Sequence, residues 1–206
     1  LSDSSKLTVE SRPIVKAKKH LVVTANPYAS RAGHDILRAG GSAVDAAIAI
    51  QMVLNLVEPQ SSGIGGGAFL LHFTSKSGDI DAYDGREVAP QGATPDMFQH
   101  SNGKSFKFHE TIPGGLSVGV PGLLRMLEMA HKKHGKLPWK ALFQPAIRLA
   151  EDGFSISPRL NKMVSRDRHL KKFKATTHYF FSPKGNAKTI GSRLTNLALA
   201  ETFRTI

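Results

Sequence analysis

Hydrophobic and polar positions divide the chain into a series of short elements. Leu21 to Ala25 is an apolar run that reads as a first strand, after a polar, Lys-rich stretch (Lys16, Lys18, Lys19, His20). Asn26 followed by Pro27 signals a helix start, with Asn as N-cap and Pro at the first helical position, and Gly40-Gly41 stops that helix after about Ala39. Ser42 and Asp45 then form a capping-box-like start for a second helix, Ala43 to Val57. Val44, Ile48, Ile50, Val53, Leu54 and Leu56 make that helix apolar on nearly every face, so it must be buried on nearly every face.

Two short strands follow, Ala68–Thr74 and Asp79–Tyr83, joined by a turn at Ser77-Gly78. Alternation is weak in the first, which predicts cover on both faces. Residues 85–120 are loop-rich. Pro121 opens an amphipathic helix that Gly135 closes. Leu137–Asp152 has a helical pattern that Pro145 is expected to break. Ser157-Pro158 starts a basic helix to about Lys172, a polar aromatic loop covers Thr176–Gly191, and Arg193–Ile206 returns to helical spacing without a closing signal. The mixture is α+β.

The chain has 206 residues and no cysteine, which excludes a disulfide framework, a Cys-ligated metal and a Cys nucleophile. The longest apolar stretch, Ala43–Val57, is too short to span a bilayer and carries Asp45, Gln51 and Asn55. No signal peptide is visible, and the absence of an initiator Met suggests a processed or trimmed start. Residues 1–100 are nearly neutral, with nine Lys/Arg against ten Asp/Glu, whereas residues 101–206 carry nineteen against six. A one-sided basic bias fits a solvated basic face, an acidic protein partner or remainder, or a polyanion.

Several groups are candidates for chemistry. Gly63-Ile64-Gly65-Gly66-Gly67 invites a phosphate cradle, but no Lys-Ser/Thr follows, and the order helix, glycines, strand is wrong for a dinucleotide fold. A tight turn leading the next strand into the interior is the better reading. Arg86 lies just past a strand end in a loop bounded by Gly85 and Pro90. It either grips a carboxylate through two parallel hydrogen bonds or pairs with Asp84 or Glu87. Thr176-Thr177-His178-Tyr179 offers a nucleophile beside a base, although sequence neighbours rarely have dyad geometry. His131 and His134 sit among Lys132 and Lys133 and read as an exposed basic face, so no metal site is expected.

From Val22 to about Leu160 the chain resembles the large subunit of the γ-glutamyltranspeptidases (glutathione hydrolases). The resemblance rests on ordered blocks: Ala29 to Gly33, Ile36 to Gly41, Ala43-Val44-Asp45-Ala46-Ala47, Glu58-Pro59, Ser62 to Phe69, Arg86-Glu87 with Ala89-Pro90, Val120-Pro121-Gly122, Pro145-Ala146, and Gly153-Phe154. Ser42 stands where the family commonly has Asn, and either caps a helix.

The resemblance implies part of an N-terminal nucleophile hydrolase αββα sandwich, incomplete without the rest of the large subunit and the small subunit. Residues 1–20 would be a polar N-terminal arm and 21–206 the N-terminal portion of the large subunit. It implies an enzyme that cleaves the γ-glutamyl amide of glutathione and transfers the γ-glutamyl group to water, amino acids or peptides through a Thr-bound intermediate. The nucleophilic Thr begins the small subunit, so no catalytic residue is expected here. Arg86 carries over as the substrate-binding residue for the α-carboxylate of the γ-glutamyl group. No cofactor, metal, nucleic acid or membrane span is expected; the partner is the small subunit of the same proenzyme, and the location periplasmic or secreted. Thr177 echoes the small-subunit start but is rejected as the nucleophile, because Phe180-Phe181, the Gly185 turn and Leu194–Ile206 continue the large subunit. A cephalosporin-acylase-like amidase on the same scaffold and a non-catalytic basic binding module are the alternatives.

Overall fold

The computed structural model describes residues 14–206. The polar arm expected over 1–20 lies outside the described residues as far as residue 13, and 14–20 form neither helix nor strand. Helix α1 (Pro27–Arg38) starts where expected, with the Asn26 side chain accepting the Tyr28 amide. Helix α2 (Ala43–Val57) has its full capping box. Strands β1 (Phe69–Thr74) and β2 (Asp79–Asp84) form an antiparallel hairpin. After the long loop, which contains the single turn α3 (Phe108–Thr111), come α4 (Leu123–His134) and α5 (Trp139–Asp152). Strand β3 (Phe154–Ser155), α6 (Pro158–Arg166), a 3-10 turn at Leu170–Lys172, α7 (Lys174–Phe180), β4 (Arg193–Leu194) and α8 (Leu197–Thr205) complete the chain.

Helix α2 is the centre of the core. It packs against α1, α4 and α5, and α5 in turn packs against α8. Val44, Ile48, Ala49, Met52, Val53, Leu56 and Val57 are all buried, as the all-round apolar pattern requires. Its first turn holds a buried carboxylate. Asp45 Oδ2 accepts the Ser42 amide at 2.8 Å and also the amides of Lys136 and Leu137, at 2.9 and 3.1 Å, from the segment joining α4 to α5. His131 Nε2 stands 3.6 Å from the other carboxylate oxygen and is hydrogen-bonded to the Leu137 carbonyl at 2.9 Å.

Five expectations need correction. Leu21–Ala25 forms no strand, because among the described residues no strand pairs with it, and Leu21 and Val23 face solvent. The inner face of β1 packs through Leu70 on the core. Its outer face is open, with Phe69, Leu71 and Phe73 exposed by 68, 75 and 62%, so the described residues cover β1 on one side only. Pro145 sits inside a continuous α5. Its neighbours Leu142, Phe143, Ala146 and Ile147 are buried, so tertiary packing overrides the missing amide. Helix α6 stops at Arg166 because the Asp167 carboxylate takes the amides of His169 and Leu170, both at 2.7 Å, and opens a separate turn. Within the expected loop at 176–191, α7 forms instead, and Arg193-Leu194 pairs with Phe154-Ser155 before Asn196 caps α8.

Removing the Asp45 side chain breaks half of the capping box and takes away the acceptor of the Lys136 and Leu137 amides at once. Asp45→Ala is expected to lower unfolding free energy by about 3 kcal/mol, and Ser42→Ala by only about 1 kcal/mol. Denaturant titration of both variants checks the ranking, which equal losses would contradict.

Candidate functional site

The end of the hairpin builds the loop that carries Arg86. The amides of Ala68 and Gly85 each bond the other's carbonyl, at 3.3 and 2.9 Å, and extend the ladder one residue past β1 and β2. The Asp84 carboxylate then accepts the Arg86 amide at 2.9 Å and turns the chain. Val88 and Val120 exchange backbone hydrogen bonds, which ties the loop to the segment entering α4, and the Leu123 amide bonds the Gly66 carbonyl at 3.2 Å. Arg86 is therefore held from its own strand, from the glycine run and from the start of α4.

Close backbone approach is what the glycine run supplies here. A Cβ at Gly67 would lie 2.6 Å from the Gly85 carbonyl oxygen and 2.8 Å from Arg86 Cα, and one at Gly122 would lie 2.5 Å from that same oxygen. No residue of Gly63–Gly67 has positive φ, and Gly63 and Gly65 face open space. The run is a packing device, in line with the tight-turn reading.

The Arg86 side chain is 58% exposed, with its guanidinium 3.1 Å from Glu87. The structural pairing considered from the sequence is thus present, and it leaves donors of the guanidinium open to solvent. Arg86 and Glu87 stand at the edge of a concavity of about 340 Å³, whose walls include Pro90, Phe98, Leu116 and Ser117. A planar cation beside a partly apolar concavity suits a small ligand bearing a carboxylate.

The other sequence candidates resolve differently. Thr177 lies inside α7, its amide and hydroxyl both bonded to the Phe173 carbonyl, at 3.0 and 2.9 Å. Thr176 is likewise bonded to the Phe173 and Leu170 carbonyls. Neither hydroxyl is paired with His178. His131 and His134 are not an exposed basic face: both side chains are largely buried, and only Lys132 and Lys133 of that turn project to solvent. His134 Nε2 lies 2.9 Å from Tyr83 Oη and 3.0 Å from Asp81, and its ring stacks on His72 at 3.8 Å between centroids. Burial, reinforced by the charge of His134, holds His72 below the ordinary imidazole range. The Lys133 ammonium holds Asp81 below the usual carboxylate range. This cluster escaped sequence reasoning because only the register pairing His72 with Asp81 creates it.

Among the described residues, a hairpin is backed by helices on one face and open on the other, as in one side of the layered αββα sandwich of the N-terminal nucleophile hydrolases. A family profile described as Gamma-glutamyltranspeptidase matches residues 29–206, and the chain belongs to that family. It is 44% identical over 197 residues to the glutathione hydrolase proenzyme of Bacillus subtilis (strain 168), covering 96% of this chain and 33% of that protein. The crystal structure of Helicobacter pylori gamma-glutamyltranspeptidase superposes with a TM-score of 0.87 at 35% identity, covering 94% of this chain and 55% of that one. Cephalosporin acylase from Bacillus halodurans superposes with a TM-score of 0.76 at 32% identity, over 97% of this chain and 39% of that one. The chain spans about a third of the length of the curated relatives it matches.

The glycine geometry makes a selective prediction. Gly67→Ala forces the Arg86 loop off the glycine run and is expected to cost about 1–3 kcal/mol. Gly63→Ala points into open space and should stay within about 0.5 kcal/mol of the parent. Paired denaturant unfolding curves separate the two, and equal costs would remove the close-approach explanation.

Proposed function

We propose that this chain is the N-terminal portion of the large subunit of an enzyme that cleaves γ-glutamyl amides such as glutathione. The partner is the small subunit of the same proenzyme, whose N-terminal Thr attacks the γ-carbonyl. The amide C–N bond breaks, the amine leaves with a proton, and a γ-glutamyl ester forms on the Thr. Water or the amine of an amino acid or peptide then takes the γ-glutamyl group and frees the Thr. In this scheme the chain supplies positioning. Arg86 binds the α-carboxylate of the γ-glutamyl group through its free donors, and Glu87 orients the guanidinium from behind.

The observation that carries this reading is Arg86 itself: a half-exposed guanidinium at the edge of a concavity, on a loop braced from three directions. The open apolar face of β1 supports cover by the rest of the sandwich. A cephalosporin-acylase-like specificity is less well supported, because an Arg aimed at a carboxylate favours a γ-glutamyl donor. A non-catalytic basic module lacks the interleaved aromatic and basic residues of a nucleic-acid surface. Among the described residues no helix is long and apolar enough to cross a membrane, and a periplasmic or secreted location is part of the proposal.

Arg86→Ala in the matured two-subunit enzyme is expected to raise KM for γ-glutamyl substrates by about 100-fold or more, the loss of two charge-assisted hydrogen bonds. Arg86→Lys should recover only part of it, because an ammonium cannot make the bidentate contact. Steady-state kinetics with a γ-glutamyl anilide checks both, and a KM within about twofold of the parent would leave Arg86 only its pairing with Glu87. Thr177→Ala should leave autoprocessing intact, since that hydroxyl serves the helix. Denaturing electrophoresis reads this directly, and an uncut proenzyme would reassign Thr177.

A further inference from the structure

We propose that His72, Asp81 and His134 form a binding site for one divalent transition-metal ion of the zinc type. His72 and Asp81 are directly paired across the hairpin, so both side chains leave the same face of the sheet. His134, the last residue of α4, lies over His72 with the rings 23° from parallel. One donor atom from each of the three residues lies within 4.8 Å of the other two. The protein's own hydrogen bonds do not complete this cluster. His134 has Tyr83 and Asp81, and Asp81 has Lys133, but His72 Nδ1 is buried with no partner among the described residues. A ring nitrogen kept from water and left unpaired is one that, in its unprotonated tautomer, a metal ion can occupy.

Two imidazoles and one carboxylate select the ion. Borderline nitrogen donors favour Zn²⁺, Co²⁺, Ni²⁺ or Cu²⁺, whereas Mg²⁺ and Ca²⁺ require a set of oxygens. The position favours positive charge as well, since the last turn of α4 carries the negative end of its helix dipole. One positive group already uses it: the Lys133 ammonium sits 2.5 Å from Asp81 on a side chain that is 58% exposed and free to swing into solvent. Lys133 is therefore the built-in competitor for the ion. Coordination also parts the stacked rings, because two imidazoles bound at about 2.1 Å to a tetrahedral ion place their centres roughly 5 Å apart.

The test is a titration of the matured protein with Co²⁺ and with Zn²⁺, followed by calorimetry and, for Co²⁺, by visible absorption. One saturable ion per copy of this chain is expected, with ligand-field bands of a nitrogen and oxygen site. His72→Phe, which keeps a ring in the stack, and His134→Gln should each weaken binding by at least about 100-fold, more than an outer-shell partner carries. Lys133→Ala should tighten binding by about fivefold, the worth of an exposed ion pair. That gain is one a purely structural cluster would not produce, and it remains readable if either His variant fails to fold. Absence of saturable Co²⁺ binding, binding that survives both His substitutions, or an affinity unmoved by Lys133→Ala would each overturn the proposal.

Discussion

A single buried carboxylate oxygen, Asp45 Oδ2, collects three backbone amides, one from the residue capping its own helix and two from the segment between α4 and α5. Most of the arrangement follows from that. It fixes where α2 begins, and the buried sides of α2 are the surface on which α1, α4 and α5 meet. It also holds the α4–α5 connection against the start of α2. A carboxylate wholly removed from water is tolerable only when hydrogen bonds replace its hydration, and three backbone amides do so at Oδ2, while Oδ1 faces His131 at 3.6 Å.

The Arg86 loop is a consequence of how closely α4 and the hairpin approach. Gly67, Gly85 and Gly122 bring three stretches of backbone to distances no side chain would permit, and backbone hydrogen bonds then hold them. An Arg placed on such a loop is fixed at its Cα and mobile only beyond, which suits a residue that orients a charged substrate group. Glu87 adds an ion pair without closing the guanidinium off from solvent. The opposite side of the sheet carries Phe69, Leu71 and Phe73 in the open, and the layered family fold accounts for them as a face for the next layer.

The parts of the fold legible in the sequence were those governed by local chemistry. Asn26-Pro27, Ser42 with Asp45, and Ser157-Pro158 announced helix starts that the structure has, because a cap needs only an oxygen and a nearby amide. The burial of α2 followed from its composition. Other features escaped where packing decided. Pro145 predicts a break, yet the packing of α5 against α2 and α8 keeps one continuous helix. The pattern around Thr176 and Thr177 predicts a loop, yet their hydroxyls fold back onto the Phe173 carbonyl in the first turn of α7. The lysine neighbours of His131 and His134 predict an exposed basic face, but helical rotation turns the histidines inward and the lysines outward.

The sequence by itself determined the capped helices, the hairpin, the Arg86 loop at its end and, through the order of its motif blocks, the γ-glutamyltranspeptidase family. These are encoded in short windows, where propensity, capping and spacing act over a few residues. The tertiary structure alone decided that Asp45 joins two distant segments, that the glycine run serves backbone contact with no use of positive φ, and that His72, Asp81 and His134 meet. Each of these depends on strand register or helix rotation: a slip of one residue sends a strand's side chains to the opposite face and turns a helix's by about 100°.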